Sequence, residues 1–208
     1  MSVDATVSSI FCQHHSNPAC VTGLSSAVWA LVQELNRGLK RDVVYLCIGT
    51  DRATGDCLGP LVGNRLRTLL PSAHIFGCLE EPLHAVNLEA TMHHINQTYA
   101  DPLIIAVDAG LGASEKVGFL SIKRGSLAPG LALKKQLPRV GDFHIVGTVN
   151  VSGFCEHLVL QNTRLFVVYK MAEAVARALF LAHHRYISSI SGSTFKVFPQ
   201  KESQSSPG

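Results

Sequence analysis

Two aspartates stand where the sequence could place a pair of catalytic acids. Asp56 lies in a glycine-bearing loop, residues 49–60, that follows a short apolar run, and Asp108 directly follows another apolar run. If the two runs form neighbouring parallel strands, both carboxyl groups overhang one crevice at the carboxyl ends of the strands. Two carboxyl groups held close together share a proton, because like charges at short range cannot both ionise cheaply. One can then activate water while its protonated partner polarises a carbonyl group, which is the chemistry of an acid protease.

The same two positions allow other roles. A pair of carboxylates can hold a divalent metal ion, especially where a histidine completes the ligand set. An aspartate at a strand end, close to the start of a helix, can also serve only as a helix cap or as a partner of the helix dipole. Spacing alone leaves these alternatives open.

Other polar residues near predicted strand ends are candidates for substrate binding or for the rim of the crevice: Asp51, Arg52, Glu81, His84, Asp142 and Asn150. Arg52 could contact a substrate carboxylate or pair with a neighbouring aspartate on the surface. His84 could relay protons, or it could make an ordinary hydrogen bond at the start of a helix.

Composition and loop chemistry argue against several classes of partner. The glycine-bearing loop has neither G-x-G-x-x-G nor the Gly-Lys-Ser/Thr ending of a P-loop, so we expect no nucleotide site. The net charge of +3, from 18 Lys and Arg against 15 Asp and Glu, is too small to predict binding to nucleic acid or to a membrane. The predicted partner is therefore a protein or peptide substrate.

The cysteines and the lengths of the apolar runs indicate in which cellular compartment the protein is expected. The six cysteines form no C-x-x-C pair, which favours reduced thiols buried as small hydrophobic residues. No apolar stretch approaches the roughly 20 residues of a membrane span, and the first residues do not resemble a secretory signal. We expect a cytoplasmic protein, and its apolar composition makes a homo-oligomer an expectation as well.

Alternating strand and helix patterns must position these residues. Apolar runs at residues 43–48 and 103–107 predict buried strands, with a third short strand at 74–79 and helices at 58–70 and 85–98 between them. This order predicts right-handed crossovers and a mostly parallel sheet with helices on both faces. Further strands are predicted at 117–123 and 143–149, and further helices at 25–40, 153–160 and 163–184.

We predict one α/β domain over residues 21–187, a flexible arm over 1–20 and a disordered tail over 188–208. Residues 125–141 are rich in Gly, Pro and Lys and predict a long loop. Long loops in compact domains are usually functional, so we expect this one to form a wall of the substrate cleft.

Several sequence blocks resemble the YyaC family of sporulation proteins. The first is residues 47–56, with Gly49, Asp51, Arg52 and Asp56, followed by Leu-Gly-Pro-Leu-Val-Gly at 58–63. The others are residues 81–88, 105–109, 137–142, 147–150 and 160–165. That family is in turn similar to the spore germination protease and to the hydrogenase maturation endopeptidases. The resemblance implies a three-layer α/β/α sandwich with a mostly parallel sheet, hydrogenase maturation peptidase-like.

The resemblance also implies roles for individual residues. The germination protease carries an Asp before Ala-Leu-Gly-Pro-Leu and a second Asp before Ala, and these are similar to Asp56 and Asp108 in their contexts here. Both are thereby implied as catalytic. The hydrogenase endopeptidases bind a nickel-type ion with an acid, an Asp and a downstream His, with which His144 could align. A metal site of Asp56, Asp108 and His144 is the alternative that this implies.

The function implied is that of a spore-associated endopeptidase with an aspartate pair, acting on small acid-soluble spore proteins in the mother cell, forespore or spore core. No cofactor is expected for this reading. The first alternative is a maturation-type peptidase assisted by a divalent metal. The second is a sporulation factor that binds peptides without cutting them.

Overall fold

The computed structural model describes residues 9–129, 139–153 and 155–194. Its centre is a six-stranded sheet with the order β1-β5-β6-β4-β2-β3. Four strands run parallel: β2 (Val43–Cys47), β3 (His74–Phe76), β4 (Leu103–Gly112) and β6 (Phe143–Val151). At one side β5 (Phe119–Arg124) is antiparallel to β6, and β1 (Phe11–His14) is antiparallel to β5. The predicted mostly parallel sheet is confirmed.

Helices cover both faces of the sheet. The helices α1 (Cys20–Leu35), α2 (Leu58–Leu69) and α5 (Leu165–Thr194) pack with one face, and α3 (Leu88–Thr98) packs with the other. A short helix, α4 (Glu156–Gln161), follows the last strand. The chain therefore has the predicted three-layer α/β/α architecture. None of the described helices is long and apolar enough to cross a bilayer.

The burial of β2 explains why its sequence is continuously apolar. All five of its residues are buried; Tyr45 belongs to the core beneath α1, α2 and α5, whereas Val44 and Leu46 belong to the core beneath α3. A strand buried on both faces needs apolar side chains at every position, not at alternate ones. The helices on both faces therefore account for the run that predicted this strand.

Both ends of the predicted domain need correction. Residues Phe11–His14, inside the predicted arm, form β1 and pair with β5, and α1 begins at Cys20, not at residue 25. The strand is short and lies at the sheet edge, so it depends on a distant partner and leaves no periodic signal. At the other end α5 continues to Thr194, into the predicted tail. Tyr186 is buried and donates a hydrogen bond to the Arg41 carbonyl at 3.1 Å, and one turn later Ile190 packs against the core. The rest of the predicted tail, 195–208, lies outside the described residues.

The strand that carries Asp108 is longer than predicted. The expected strand ended at residue 107, but β4 continues to Gly112 alongside β6, with which Asp108 pairs opposite Val146. Its pairing with β2 stops earlier, at Cys47 opposite Val107. Asp108 is therefore the first residue of β4 beyond the paired length of β2, at the point where a crevice opens between the two strands.

Candidate active site

The two aspartates line the same cavity. Asp108 reaches it from β4, and Asp56 from the 3-10 turn Thr54–Cys57 that directly precedes α2. The cavity has a volume of about 460 Å³. The structure thus brings together the two carboxyl groups that the sequence singled out, at the carboxyl ends of neighbouring parallel strands.

Glycines let the Asp56 loop fold tightly against the end of β2. Gly49 has φ +140°, and a Cβ atom there would lie 2.0 Å from the carbonyl oxygen of Asp56. That oxygen accepts a hydrogen bond from the backbone N–H of Thr50 at 3.2 Å. At Gly59, in the first turn of α2, a Cβ atom would lie 2.0 Å from the carbonyl oxygen of Ile48. Only glycine permits this approach, which fixes the turn that carries Asp56.

Asp108 is nearly inaccessible to solvent, with 7% of its surface exposed. Burial raises the pKa of its carboxyl group well above the ordinary value, and the charge of Asp56 raises it further. A hydrogen bond from the backbone N–H of Ala109 to Oδ1, at 2.8 Å, acts in the opposite direction. The protonated form of Asp108 is therefore favoured.

The surroundings of Asp56 stabilise an ionised carboxyl group better than those of Asp108 do. Burial also raises its pKa, but a hydrogen bond to the backbone of Thr50 and the charge of His84 both lower it. Asp108 has no comparable cationic neighbour among the causes of its shift. Because the pair shares one site, the proton is favoured on Asp108 and the negative charge on Asp56.

The surroundings of the carboxyl pair differ on its two sides. The first cavity has mainly apolar walls, including Ile48, Ala85, Val86 and Leu160. A second cavity of about 350 Å³ also contains both aspartates and Leu160, but its other walls include Lys123, His144 and Glu156. The two cavities share both aspartates and Leu160, so together they form one cleft along the carboxyl pair, and the walls of the second cavity are the more polar.

Two of the predicted rim residues line the first cavity, namely Arg52 and His84. The backbone N–H of His84 is held by the Asn87 side chain at 2.8 Å, and its Nδ1 accepts a hydrogen bond from the N–H of Val86 at 3.3 Å. His84 therefore makes the helix-start contacts foreseen for it and also faces the carboxyl pair.

Glu81 and Asp51 lie farther out. Glu81 borders a neighbouring cavity of about 410 Å³ that shares His84 with the first one. Its side chain is 74% exposed and pairs with Arg67 at 3.2 Å. Asp51 is exposed in the turn before Asp56. It is not part of the wall of either cavity that contains the carboxyl pair.

The prediction that Asp142 lines the rim is wrong. Asp142 precedes β6, at the opposite end of the parallel strands, where its carboxylate accepts hydrogen bonds from the N–H of Ile104 at 2.8 Å and from Arg41 at 3.1 Å. It joins the starts of strands instead of serving the crevice at their ends. The prediction placed Asp142 at the carboxyl ends of the parallel strands, because the sequence does not show where the last residues of the 125–141 loop rejoin the sheet.

Asn150 lies at the carboxyl ends of the strands, as predicted, but its side chain binds α4 and the residues after it instead of lining the cleft. Its amide nitrogen donates to Thr163 Oγ1 at 3.2 Å and to the Val159 carbonyl at 3.4 Å. Thr163 Oγ1 lies so close to Gly55 that a Cβ atom on that glycine would be 2.7 Å away. Asn150 and Thr163 thus hold α4 against the turn that carries Asp56.

His144 lines the second cavity with both aspartates. Its Nδ1 hydrogen bonds to the Gly125 carbonyl oxygen at 2.8 Å, and burial lowers its pKa. Across residues 9–129, 139–153 and 155–194, no three His, Cys, Asp or Glu side chains come together closely enough to hold a metal ion. The described geometry of Asp56, Asp108 and His144 therefore does not fit the three-ligand metal site, and we derive no chemical step through a metal.

Several residues of the cleft were not foreseen. The short helix α4 contributes Glu156, His157 and Gln161 to its walls, and Lys123 comes from β5. Helix α4 has no buried residue, so it shows no amphipathic pattern. The position of α4 in the site comes from its contacts with the 3-10 turn. The sequence of α4 does not predict that position, because a histidine followed by Gln four residues later is a common arrangement.

Comparisons with known proteins agree with this architecture. A family model described as "Protein of unknown function (DUF1256)" matches residues 13–178. The chain is 48% identical over 152 residues to "Uncharacterized protein YyaC" of Bacillus subtilis (strain 168), which covers 73% of this chain and 74% of that protein.

Among solved structures, the chain is similar to the NiFe hydrogenase maturation protease HycI from Thermococcus kodakarensis KOD1. The TM-score is 0.50 at 17% sequence identity, over 74% of this chain and 99% of the protease. At this level of identity the similarity shows the fold, which is peptidase-like.

Proposed function

The chain belongs to the DUF1256 family, and from its paired carboxyl groups we propose that it is an endopeptidase of the aspartic type. The observation that carries the proposal is the environment of Asp108 and Asp56. They line one cavity, and the pKa of Asp108 is raised well above the ordinary value by burial and by the charge of Asp56. A pair of carboxyl groups that holds one proton is suited to hydrolysis of an amide bond.

The roles of the two residues follow from their environments. Ionised Asp56 accepts a proton from a water molecule as the water oxygen attacks the carbonyl carbon of the scissile amide. Protonated Asp108 donates a hydrogen bond to the carbonyl oxygen, where negative charge develops. Collapse of the resulting intermediate breaks the C–N bond, and the leaving nitrogen takes up a proton from the pair.

The shape of the cleft supports a polypeptide substrate. A chain lying across the carboxyl pair would contact apolar walls on one side and Lys123, His144 and Glu156 on the other. Such a cleft is larger than one amino acid needs, and its walls vary in chemistry along its length. We therefore propose an extended peptide segment as the substrate, with Arg52 and His84 contacting it beside the pair.

Small acid-soluble spore proteins are the substrates that we propose to test first. The reason is the resemblance of the 47–63 and 105–109 blocks to the YyaC family of sporulation proteins, and of Asp56 and Asp108 in their contexts to the germination protease. No metal is required by this mechanism, so we expect cleavage to persist in the presence of a chelator.

The test is mass spectrometry of these spore proteins after incubation with the parent protein and with Asp108→Asn. We expect defined cleavage by the parent and a loss of at least about 100-fold in the variant. Asp51→Asn is the matched control, because Asp51 is an exposed carboxylate in the loop of Asp56, and it should cleave normally. Equal cleavage by Asp108→Asn would refute the aspartate mechanism. Tight peptide binding without cleavage by any folded form would favour the non-catalytic alternative.

A further inference from the structure

A short segment after β5 lines both cavities that contain the carboxyl pair. We call residues 125–129 the 125–129 strap. Leu127 and Ala128 line the second cavity, and Pro129 lines the first. The strap therefore contributes to both sides of the cleft, and a small displacement of it would change the walls on both sides.

The 125–129 strap is held mainly by the returning chain at residues 139–142. Leu127 and Val140 exchange backbone hydrogen bonds of 2.8 and 2.9 Å, and the N–H of Gly125 donates to the Asp142 carbonyl at 2.9 Å. The guanidinium group of Arg139 donates to the Ser126 carbonyl at 2.9 Å. These contacts join the strap to residues 139–142, and they all lie beyond the last paired residues of β5 and β6, Arg124 and Phe143.

His144 supplies a hydrogen bond from within the sheet. It lies on β6, is 8% exposed, and its Nδ1 is 2.8 Å from the carbonyl oxygen of Gly125. A carbonyl oxygen can only accept a hydrogen bond, so Nδ1 carries the hydrogen. Burial lowers the pKa of the ring, the hydrogen bond to Gly125 raises it, and the charges of Lys123 and Arg139 lower it. The net lowering of the pKa favours the neutral form. Nε2 is then left without a hydrogen.

We propose that His144 is a positioning residue that acts through Nδ1: it holds the 125–129 strap in place as a wall of both cavities and so shapes the cleft, and it does not ligate a metal. Its effect on substrate binding rests on the proposed peptidase function, but its effect on the strap does not. The role agrees with the absence, in the described part of the chain, of a three-ligand cluster that includes His144.

Two substitutions separate the ring nitrogens. The amide nitrogen of Asn is as many bonds from Cα as Nδ1, so His144→Asn can keep the bond to Gly125. The amide nitrogen of Gln is as far as Nε2, so His144→Gln keeps a polar group at that position and loses the bond to Gly125. A role at Nδ1 predicts that Asn replaces His well and Gln poorly, whereas a role at Nε2 predicts the reverse.

Hydrogen exchange of the Leu127 and Val140 amides measures the strap without any assay of activity. We expect His144→Asn to match the parent, and His144→Gln to exchange roughly tenfold faster, because loss of a buried hydrogen bond favours local opening. Equal protection in the parent and His144→Gln, or fast exchange in His144→Asn, would overturn the proposal.

Peptide kinetics test the consequence for the cleft. KM should rise about tenfold in His144→Gln with little change in kcat, since opening of the strap removes a binding wall and spares the carboxyl groups. His144→Asn should keep the KM of the parent. Loss of kcat in His144→Asn with retention in His144→Gln would place the role at Nε2 and overturn the proposal. If the parent cleaves no peptide, the proposed function fails and the exchange experiment still decides the role of His144.

A measurement on the unmodified sequence guards against variants that fail to fold. Long-range proton–nitrogen NMR spectra of histidine-labelled protein should show His144 with a hydrogen on Nδ1 and none on Nε2, and one equivalent of Zn²⁺ or Ni²⁺ should leave both signals unchanged. The His144 signals are assigned by their loss in whichever His144 variant folds, or by sequential backbone correlation. A hydrogen on Nε2 instead of Nδ1, or a metal-induced shift of Nε2, would refute the assignment.

Discussion

Asp108 lies where an ionised carboxyl group is unfavourable. It is nearly inaccessible on a central strand, and its nearest charged partner among the causes of its pKa shift is another acid, Asp56. Backbone donation from Ala109 stabilises the charged form but does not compensate for burial. A buried carboxyl group of this kind reduces the stability of the fold once it ionises, so the cost should depend on pH.

Replacement of Asp108 by Asn should therefore stabilise the protein at neutral and alkaline pH. The folded-state pKa of Asp108 is raised above its unfolded value. The contribution of Asp108 to the free energy of unfolding is therefore fully present below the unfolded pKa, and it is lost as pH rises through the folded pKa. Asn has the same shape and no charge, so this loss should disappear in the variant. We expect a gain on the order of 1–3 kcal/mol in the free energy of unfolding at high pH and little change near pH 3, measured by urea unfolding.

Asp51→Asn provides the comparison for that experiment, because Asp51 is exposed. It should change the free energy of unfolding by no more than about 0.5 kcal/mol at any pH. If parent and Asp108→Asn lose stability in parallel as pH rises, Asp108 is not the group that carries the shift.

At the scale of elements, the position of Asp56 depends on a close approach between α2 and β2. Gly59 in the first turn of α2 lies against the Ile48 carbonyl. Gly55, in the turn that carries Asp56, lies against Leu160 of α4 and against Thr163 Oγ1 just after that helix. The turn that carries Asp56 is thus held by close contacts with the end of β2 and with the end of α4. A side chain inserted at either contact should move the carboxyl group as well as reduce stability.

Gly59→Ala should reduce the free energy of unfolding by about 2 kcal/mol or more. A Cβ atom at this position would lie 2.0 Å from a backbone oxygen, so α2 must shift and carry the Asp56 turn with it. Peptide cleavage should fall in parallel, even where the variant remains folded. Circular dichroism with urea unfolding gives the stability, and the spore-protein assay gives the activity.

Gly153→Ala is the matched control, since a Cβ atom there would meet nothing within 4 Å. Its effect on stability should stay within about 0.5 kcal/mol. A Gly59→Ala variant as stable and as active as Gly153→Ala would show that the approach of α2 to β2 is not required.

At the scale of the whole molecule, the carboxyl pair lies in partly enclosed cavities and not on an open surface. The carboxyl pair lies at strand ends, with α4 on one wall and the 125–129 strap on another. Asp108 is nearly inaccessible from the surface, so a substrate backbone must enter these cavities to reach it. The arrangement favours a chain that is already extended or locally unfolded.

A cleavable segment should therefore be cut much faster in a flexible linker than inside a folded domain. We expect a difference on the order of 100-fold or more, because cleavage of a folded substrate depends on the small population that is locally open. The same segment is placed once in a Gly/Ser linker and once in a helix of a stable carrier domain, and initial rates are compared by mass spectrometry. Equal rates would indicate that the strap and α4 do not restrict access.

The molecule also exposes several large apolar side chains, among them Leu165, Phe166 and Tyr169 at the start of α5. They are compatible with the homo-oligomer expected from the apolar composition, which stays a prediction. Sedimentation of the purified protein would test it.

The sequence by itself determined the architecture and the pair of acids. The continuous apolar runs of β2 and β4 predict strands buried on both faces, and parallel strands present their carboxyl ends at one edge of the sheet. Asp56 and Asp108 were therefore expected to meet if these strands lie side by side, and the strand order places them side by side. These features follow from local pattern and from general rules of chain connection.

Tertiary structure alone decided the remaining parts of the site. It placed Asp142 at the far end of the sheet with Arg41, formed β1 from residues without periodicity, and brought α4 over the Asp56 turn. It also showed His144 bonded to Gly125. Each of these outcomes depends on contacts between residues far apart in the chain, and the energies that select such contacts come from the packed core and leave no pattern in the local sequence.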